Sequence, residues 1–117
     1  MKEYSKIIKD LEANANIEGG FIVSRDGLLI YTDVKNLHAE TFAAMTATLL
    51  SSAEVAMDEL GGGIPKRVII EGKGKNIIIV GAGRDNLLAV ITSEEVEKVY
   101  EEVEKASKKI SLLKGEI

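Results

Sequence analysis

Apolar residues recur along this chain with two different periods. Between Lys2 and about Asn16, Tyr4, Ile7, Ile8, Leu11 and Ala15 return every three or four positions among charged residues, which predicts an amphipathic helix with one buried stripe. Asn14, Asn16 and then Gly19-Gly20 end it. Phe21-Ile22-Val23-Ser24 and Leu28-Leu29-Ile30-Tyr31-Thr32 are β-rich runs joined by Arg25-Asp26-Gly27, a tight-turn signature, so they predict a hairpin. Leu37 to Leu60 is long and nearly free of charge. It predicts a single helix with Asn36 as its N-cap and Gly61-Gly62-Gly63 as its exit. Winding that helix places Phe42, Met45, Leu49, Leu50, Ala53, Ala56, Met57 and Leu60 on a core-facing side. The opposite side holds Ala44, Ala47, Thr48, Ser51 and Val55, with the acids Glu40, Glu54 and Asp58 at its margins. A solvated helix back normally carries long charged side chains, so a back of small residues predicts close approach by another surface.

The second half of the chain reads as three strands and a helix. Lys66 to Glu71 follows the only proline, Pro65, and is flanked by charges, as an edge strand is. Gly72-Lys73-Gly74 turns the chain into Asn76 to Gly81, and Gly83-Arg84-Asp85 turns it again into Asn86 to Ile91. Both of these runs are apolar at odd and even positions alike, so both faces of the sheet must be covered by helices. Thr92-Ser93-Glu94-Glu95 has the spacing of a capping box with Thr92 as N-cap. The helix it opens is expected to bury Val96, Val99, Tyr100, Val103, Ala106, Ile110 and Leu113. Glu94/Lys98, Glu101/Lys105 and Glu104/Lys108 stand in the favourable i, i+4 order. The element order α-β-β-α-β-β-β-α, with short connections, predicts an α+β sandwich that forms one domain over residues 1–117.

Composition narrows the function classes. The chain has 117 residues, no cysteine and a net charge of −4. Disulfides and thiolate metal sites are therefore excluded, and a nucleic-acid module is not expected, because phosphate neutralisation needs a basic stripe. No signal-type apolar region opens the chain, and no apolar run approaches membrane-span length, so a cytoplasmic protein without a membrane span is expected. The absence of Gln and Cys beside abundant Glu and Lys suggests a thermophilic source.

No motif supplies a catalytic set, a cofactor or a metal site. Gly81-Ala82-Gly83-Arg84-Asp85-Asn86 begins like a dinucleotide fingerprint but lacks the third glycine and leads into a strand. Gly61-Gly62-Gly63-Ile64-Pro65-Lys66 also leads into a strand. The single histidine, His38, has no cysteine or spaced carboxylate set to join, and Ser24, Ser51, Ser52 and Ser93 lack a nucleophile-elbow setting. Arg25 and Arg84 at turns and Arg67 at the edge strand read as solubilising residues, although an arginine in such a place could serve a partner nucleotide hydrolase.

Three blocks in order, Gly20 to Ile30, the alanine-rich helix ending at Leu60-Gly61, and Gly81 to Thr92, resemble a Roadblock/dynein light chain domain of the compact prokaryotic type. The resemblance spans roughly Ser5 to Leu113. It implies a five-stranded antiparallel sheet in order 2-1-5-4-3, with the central helix on one face and the terminal helices on the other. It also implies a homodimer in which Arg67, Val68, Ile69, Ile70 and Glu71 pair with their counterparts while Ala44, Ala47, Ser51 and Val55 form a helix contact. Family members act as non-catalytic regulators or platforms for Ras-like small GTPases, some raising GTP hydrolysis. Glu40, Thr41, Thr48, Glu54 and Asp58 are then the expected partner-binding residues. A scaffold or assembly subunit that binds another protein without GTPase regulation, or a small-ligand sensor, are the alternative readings.

Overall fold

The computed structural model describes residues 2–113. The elements run α1 (Lys2–Asn14), β1 (Gly19–Ser24), β2 (Leu29–Thr32), α2 (Ala39–Glu59), β3 (Val68–Glu71), β4 (Asn76–Ala82), β5 (Asn86–Thr92) and α3 (Val96–Ser111). All strand pairs are antiparallel and the sheet order is β2-β1-β5-β4-β3, as expected. Strand alternation splits the apolar residues into two layers. Ile22, Ile78, Leu88 and Val90 face α1 and α3, where they meet Ile8, Val99, Val103 and Ile110. Phe21, Val23, Ile79, Leu87 and Ala89 face α2. Gly27 at φ 92° makes the β1–β2 turn, and Gly61 and Gly63 at φ 64° and 83° take the chain out of α2.

Both expected helix starts move. Asn36 does not cap α2: it adopts φ 63°, a left-handed conformation asparagine tolerates, and turns the chain before the helix begins. His38 occupies the N-cap position without a side-chain capping bond. Thr92 does not cap α3, because it is the last residue of β5 and pairs with Asn76. Its hydroxyl donates to the Asn16 carbonyl (2.8 Å) and accepts from the Glu94 amide (3.0 Å), which fixes the turn into a helix whose N-cap is Glu95. Among the expected helix pairs, Lys98 lies 3.9 Å from Glu94, whereas Lys105 reaches Glu102 at 3.2 Å in place of Glu101.

The larger correction concerns the rotation of α2. Ala43, Thr46, Ala47 and Leu50 are buried, and Leu50 is 2 % exposed. Met45 and Leu49, expected in the core, are 59 % and 40 % exposed, and Ala47, expected on the outer back, lies inside. The cause is the β1–β2 turn. A methyl group on Gly27 would lie 3.5 Å from the Ala44 Cα and 3.8 Å from the Ala47 Cβ, so part of the small-residue side of α2 is already occupied by its own chain. The helix therefore turns by less than one residue step, and Leu50 leads into the sheet.

On the opposite layer, Glu12 of α1 meets Asp33, the first residue after β2. Partial burial and then the hydrogen bond and charge of Asp33 push the Glu12 carboxyl up from 4.5 to about 7. A raised folded-state value means that ionising Glu12 costs more in the folded chain than in the unfolded one. Its contribution to stability is complete below about 4.5 and is lost as pH rises to about 7. Glu12→Gln should therefore flatten the fall in melting temperature between these pH values and raise the melting temperature at pH 8, read by calorimetry across the range. An unchanged pH profile would mean that the carboxyl pair carries no such cost.

Candidate functional site: the outer face of α2 and the open edge of β3

The outward side of α2 presents Thr41, Ala44, Met45, Thr48, Ser52 and Val55, all exposed. Its polar groups are partly silenced. The Thr48 hydroxyl donates to the Ala44 carbonyl (3.0 Å), so its bond is satisfied along the helix. Glu40, Thr41, Ala44, Met45, Thr48 and Leu49 line one shallow depression of about 640 Å³. A second, of about 450 Å³, lies further along between Val55, Asp58 and the loop residues Ile64 and Pro65. Val55 is 64 % and Ile64 84 % exposed. This face is apolar in its middle and acidic at its rim, the layout of a protein-binding surface. Of the expected partner-binding residues, Glu40, Thr41, Thr48 and Asp58 are exposed there.

Glu54, the fifth, is committed elsewhere. Its Oε2 accepts from Arg25 Nη1 at 2.5 Å. Arg25 also donates through Nε to the Asn86 carbonyl (2.9 Å) and through Nη2 to the Gly83 carbonyl (3.0 Å). The guanidinium lies over Gly81, where an added Cβ would come within 2.7 Å of Nη2. Arg25 thus ties the β1–β2 turn, the β4–β5 turn and α2 together, which is a structural duty that reading it as a solubilising turn residue missed. The glycines at 81 and 83 on one side and the lone carboxylate Glu54 among small residues on the other are the only signals the sequence held.

β3 pairs with β4 alone among the described residues, in the register Val68↔Ile79, Ile69↔Ile78, Ile70↔Ile77 and Glu71↔Asn76. The Gly72 amide donates to the Lys75 carbonyl (2.8 Å), so residues 72 and 75 form a hydrogen-bonded pair. Alternation along an antiparallel ladder then directs the backbone groups of Val68 and Ile70 toward β4 and those of Ile69 and Glu71 toward the open edge. The side chains divide the other way: Val68 and Ile70 pack with the α2 layer, and Ile69 with the α1/α3 layer. Arg67, expected as the start of the strand, lies just before it. Its guanidinium donates to Glu97 at 2.5 Å and its Cζ sits 4.5 Å above the Tyr100 ring. The Glu97 contact raises the Arg67 pKa and holds the Glu97 carboxyl below its usual range, while burial pushes Tyr100 up.

His38 stands at the start of α2, Ser51 and Ser52 are neighbours within it, Ser24 ends β1 and Ser93 follows β5. No group of three His, Cys, Asp or Glu residues with metal-binding geometry occurs among the described residues. Gly81 to Asn86 forms the β4–β5 hairpin, so the glycine pattern there belongs to a turn. No helix of the described residues is long and apolar enough to cross a membrane.

This arrangement of sheet and helices coincides with a known family. The family model of the Roadblock/LC7 domain matches residues 4–92, and the chain belongs to that family. It is 29 % identical over 92 residues to the uncharacterized protein MJ0310 of Methanocaldococcus jannaschii, a match covering 78 % of this chain and 80 % of that protein. Myxococcus xanthus MglB superposes with a TM-score of 0.91 at 19 % identity, covering 100 % of this chain and 98 % of MglB. A Roadblock/LC7 domain from Streptomyces avermitilis superposes at 0.81 with 22 % identity, covering 90 % and 92 % of the two chains. These superpositions show that the fold is shared.

Proposed function

We propose that this chain is a non-catalytic homodimeric platform that binds a Ras-like small GTPase in the cytoplasm and stimulates its GTP hydrolysis. The observation that carries this reading is the uncovered apolar face of α2, with Met45, Leu49 and Val55 at its centre, beside a sheet edge whose backbone groups have no partner among the described residues. An α2 of 21 residues that fully buries Ala43, Thr46, Ala47 and Leu50 and packs Ala39 and Phe42 beside them leaves its outer side for another protein. Membership in the Roadblock/LC7 family supports the choice of a small GTPase as that protein. Two chains joined through β3 would form one ten-stranded sheet and set their α2 helices side by side. Ser51 and Val55 would lie near the junction, with Thr41, Thr48, Glu40 and Asp58 toward the GTPase. Ala47 drops out of the expected helix contact because it is buried, and Glu54 acts through Arg25.

Titration of the purified protein with the Ras-like GTPases of the source organism, each loaded with GTP or GDP, tests the proposal. Binding to one of them, with a faster GTP turnover in the complex, is the expected result. Binding with unchanged turnover would identify a scaffold, and binding to none would remove the GTPase reading.

A further inference from the structure

Charge is divided along α3: its acids end at Glu104 and, Lys98 apart, its lysines run from Lys105 to Lys109. The topology brings further cations to the lysine end. β5 hands the chain to α3, which returns along the sheet until Ser111 lies against the β4–β5 turn, where a Cβ on Gly83 would come within 2.9 Å of the Ser111 Cβ. α1 runs the other way. Its exit is held at the start of α3, where Asn16 donates to Glu94 (2.7 Å) and accepts from the Thr92 hydroxyl (2.8 Å), so its first turns lie beside the last turns of α3. Lys2 and Lys6 of α1, Arg84 of the β4–β5 turn and Lys108 and Lys109 of α3 therefore share one end of the molecule, all of them exposed. None enters an ion pair among the described residues, and Glu3 and Asp85 are the acids interspersed with them. The dipole of α3 accounts for Lys108 and Lys109 in its last turn, but the dipole of α1 disfavours Lys2 in its first. Two exposed leucines accompany the cations. Leu112, 81 % exposed, follows Lys108 and Lys109 by one helical turn, and Leu28, 68 % exposed, stands at the β1–β2 turn, which Arg25 ties to the β4–β5 turn.

We propose that this end of the molecule docks onto an anionic bilayer, with Lys2, Lys6, Arg84, Lys108 and Lys109 against the headgroups and Leu112 entering the interface. A chain whose net charge is −4 is repelled by such a surface as a whole, so binding depends on a local excess of cations, which this end supplies. The shape favours a bilayer over an acidic peptide. The patch is built from two helix ends and a hairpin turn, which protrude, and the cleft between α1 and α3 beside it is about 20 Å³, room for little more than a water molecule. An exposed leucine one turn from two lysines has the chemistry of an interfacial anchor, apolar at its tip and cationic around it. The opposite end of the sheet carries Glu71, Glu94, Glu95 and Glu97, which the same headgroups repel, so charge also fixes the orientation. α2 lies across the sheet from α1 and α3, and docking by these elements leaves its outer face open to a protein partner.

The test is cosedimentation of the full chain, at low ionic strength, with vesicles of phosphatidylcholine and with vesicles of equal parts phosphatidylcholine and phosphatidylglycerol. The wild type should partition onto the anionic vesicles about tenfold more strongly than onto the neutral ones, or better. Salt at about 1 M, which shortens the screening length to about 3 Å, should release it. Lys108→Glu/Lys109→Glu and Lys6→Glu/Arg84→Glu should each weaken binding about tenfold or more, and Leu112→Ser about threefold. Lys35→Glu/Lys73→Glu makes the same change in net charge at exposed positions toward the opposite end, and should stay within about twofold of the wild type. Thermal melting of each variant separates lost docking from lost folding, and the two patch variants alter different elements. A wild type that ignores both vesicles or binds them equally, or a loss for the control variant as large as for the patch variants, would overturn the proposal. Binding to polyglutamate without binding to anionic vesicles would also overturn it and assign the patch to an acidic protein.

Discussion

Leu50→Ala should destabilise the folded chain by about 2–5 kcal/mol, whereas Leu49→Ala, one position earlier, should cost less than about 1 kcal/mol. The two residues are the same type, on the same helix, and hydropathy treats them alike. The structure separates them. Leu50 is 2 % exposed and packs in the layer of Phe21, Val23, Ile79 and Leu87, so its truncation leaves a cavity that α2 cannot close without lifting from the sheet. Leu49 is 40 % exposed, so truncating it removes far less buried surface and leaves a gap open to water in place of a closed cavity. Urea denaturation of both variants reads the difference directly. Equal losses would place the rotation of α2 where simple winding puts it, with both leucines in the core.

Ile69→Pro should abolish self-association while leaving a folded monomer. The outcome depends on which way the backbone points. The Gly72–Lys75 pair fixes the alternation, so the Ile69 amide faces the open edge and makes no bond to β4. Proline at that position removes a donor that only a second strand would use and obstructs that strand's approach. Ile70→Pro is the contrasting variant, because its amide faces Ile77 of β4 and its loss should lower the melting temperature of the monomer itself. Sedimentation paired with thermal melting distinguishes the two. An Ile69→Pro protein that remains a dimer would take β3 out of the interface.

Much of the architecture was legible because its signals are local. The turn glycines, the two doubly apolar runs of β4 and β5, and the stripe of α3 place the elements to within about two residues, the ordinary uncertainty of boundaries, except the start of α3, whose N-cap moves from Thr92 to Glu95. The strand order came with the family resemblance and agrees with the structure. α2 was the harder case. Nearly every position from Phe42 to Leu50 is apolar, alanine or threonine, so the periodicity that orients a helix is weak there. Its orientation is set instead by contacts far apart in sequence: Gly27 against Ala44 and Ala47, and Arg25 on Glu54, 29 residues away. The caps misled for a related reason. Asn36 and Thr92 are good capping residues by type, but one serves a left-handed turn and the other closes a strand. Of the candidate site, the exposed rim of α2 and the edge character of β3 were readable. That Met45 and Leu49 belong to the surface, at 59 % and 40 % exposed, was not.

The most direct measurement is the affinity of one Ras-like GTPase for the wild type and for Met45→Glu. Met45 is 59 % exposed, so the variant should fold as the wild type does, yet it sets a charge in the centre of the α2 face. The wild type should bind, and the variant should bind about tenfold more weakly or worse, as expected for a central apolar contact. Equal affinity for the two proteins would contradict it.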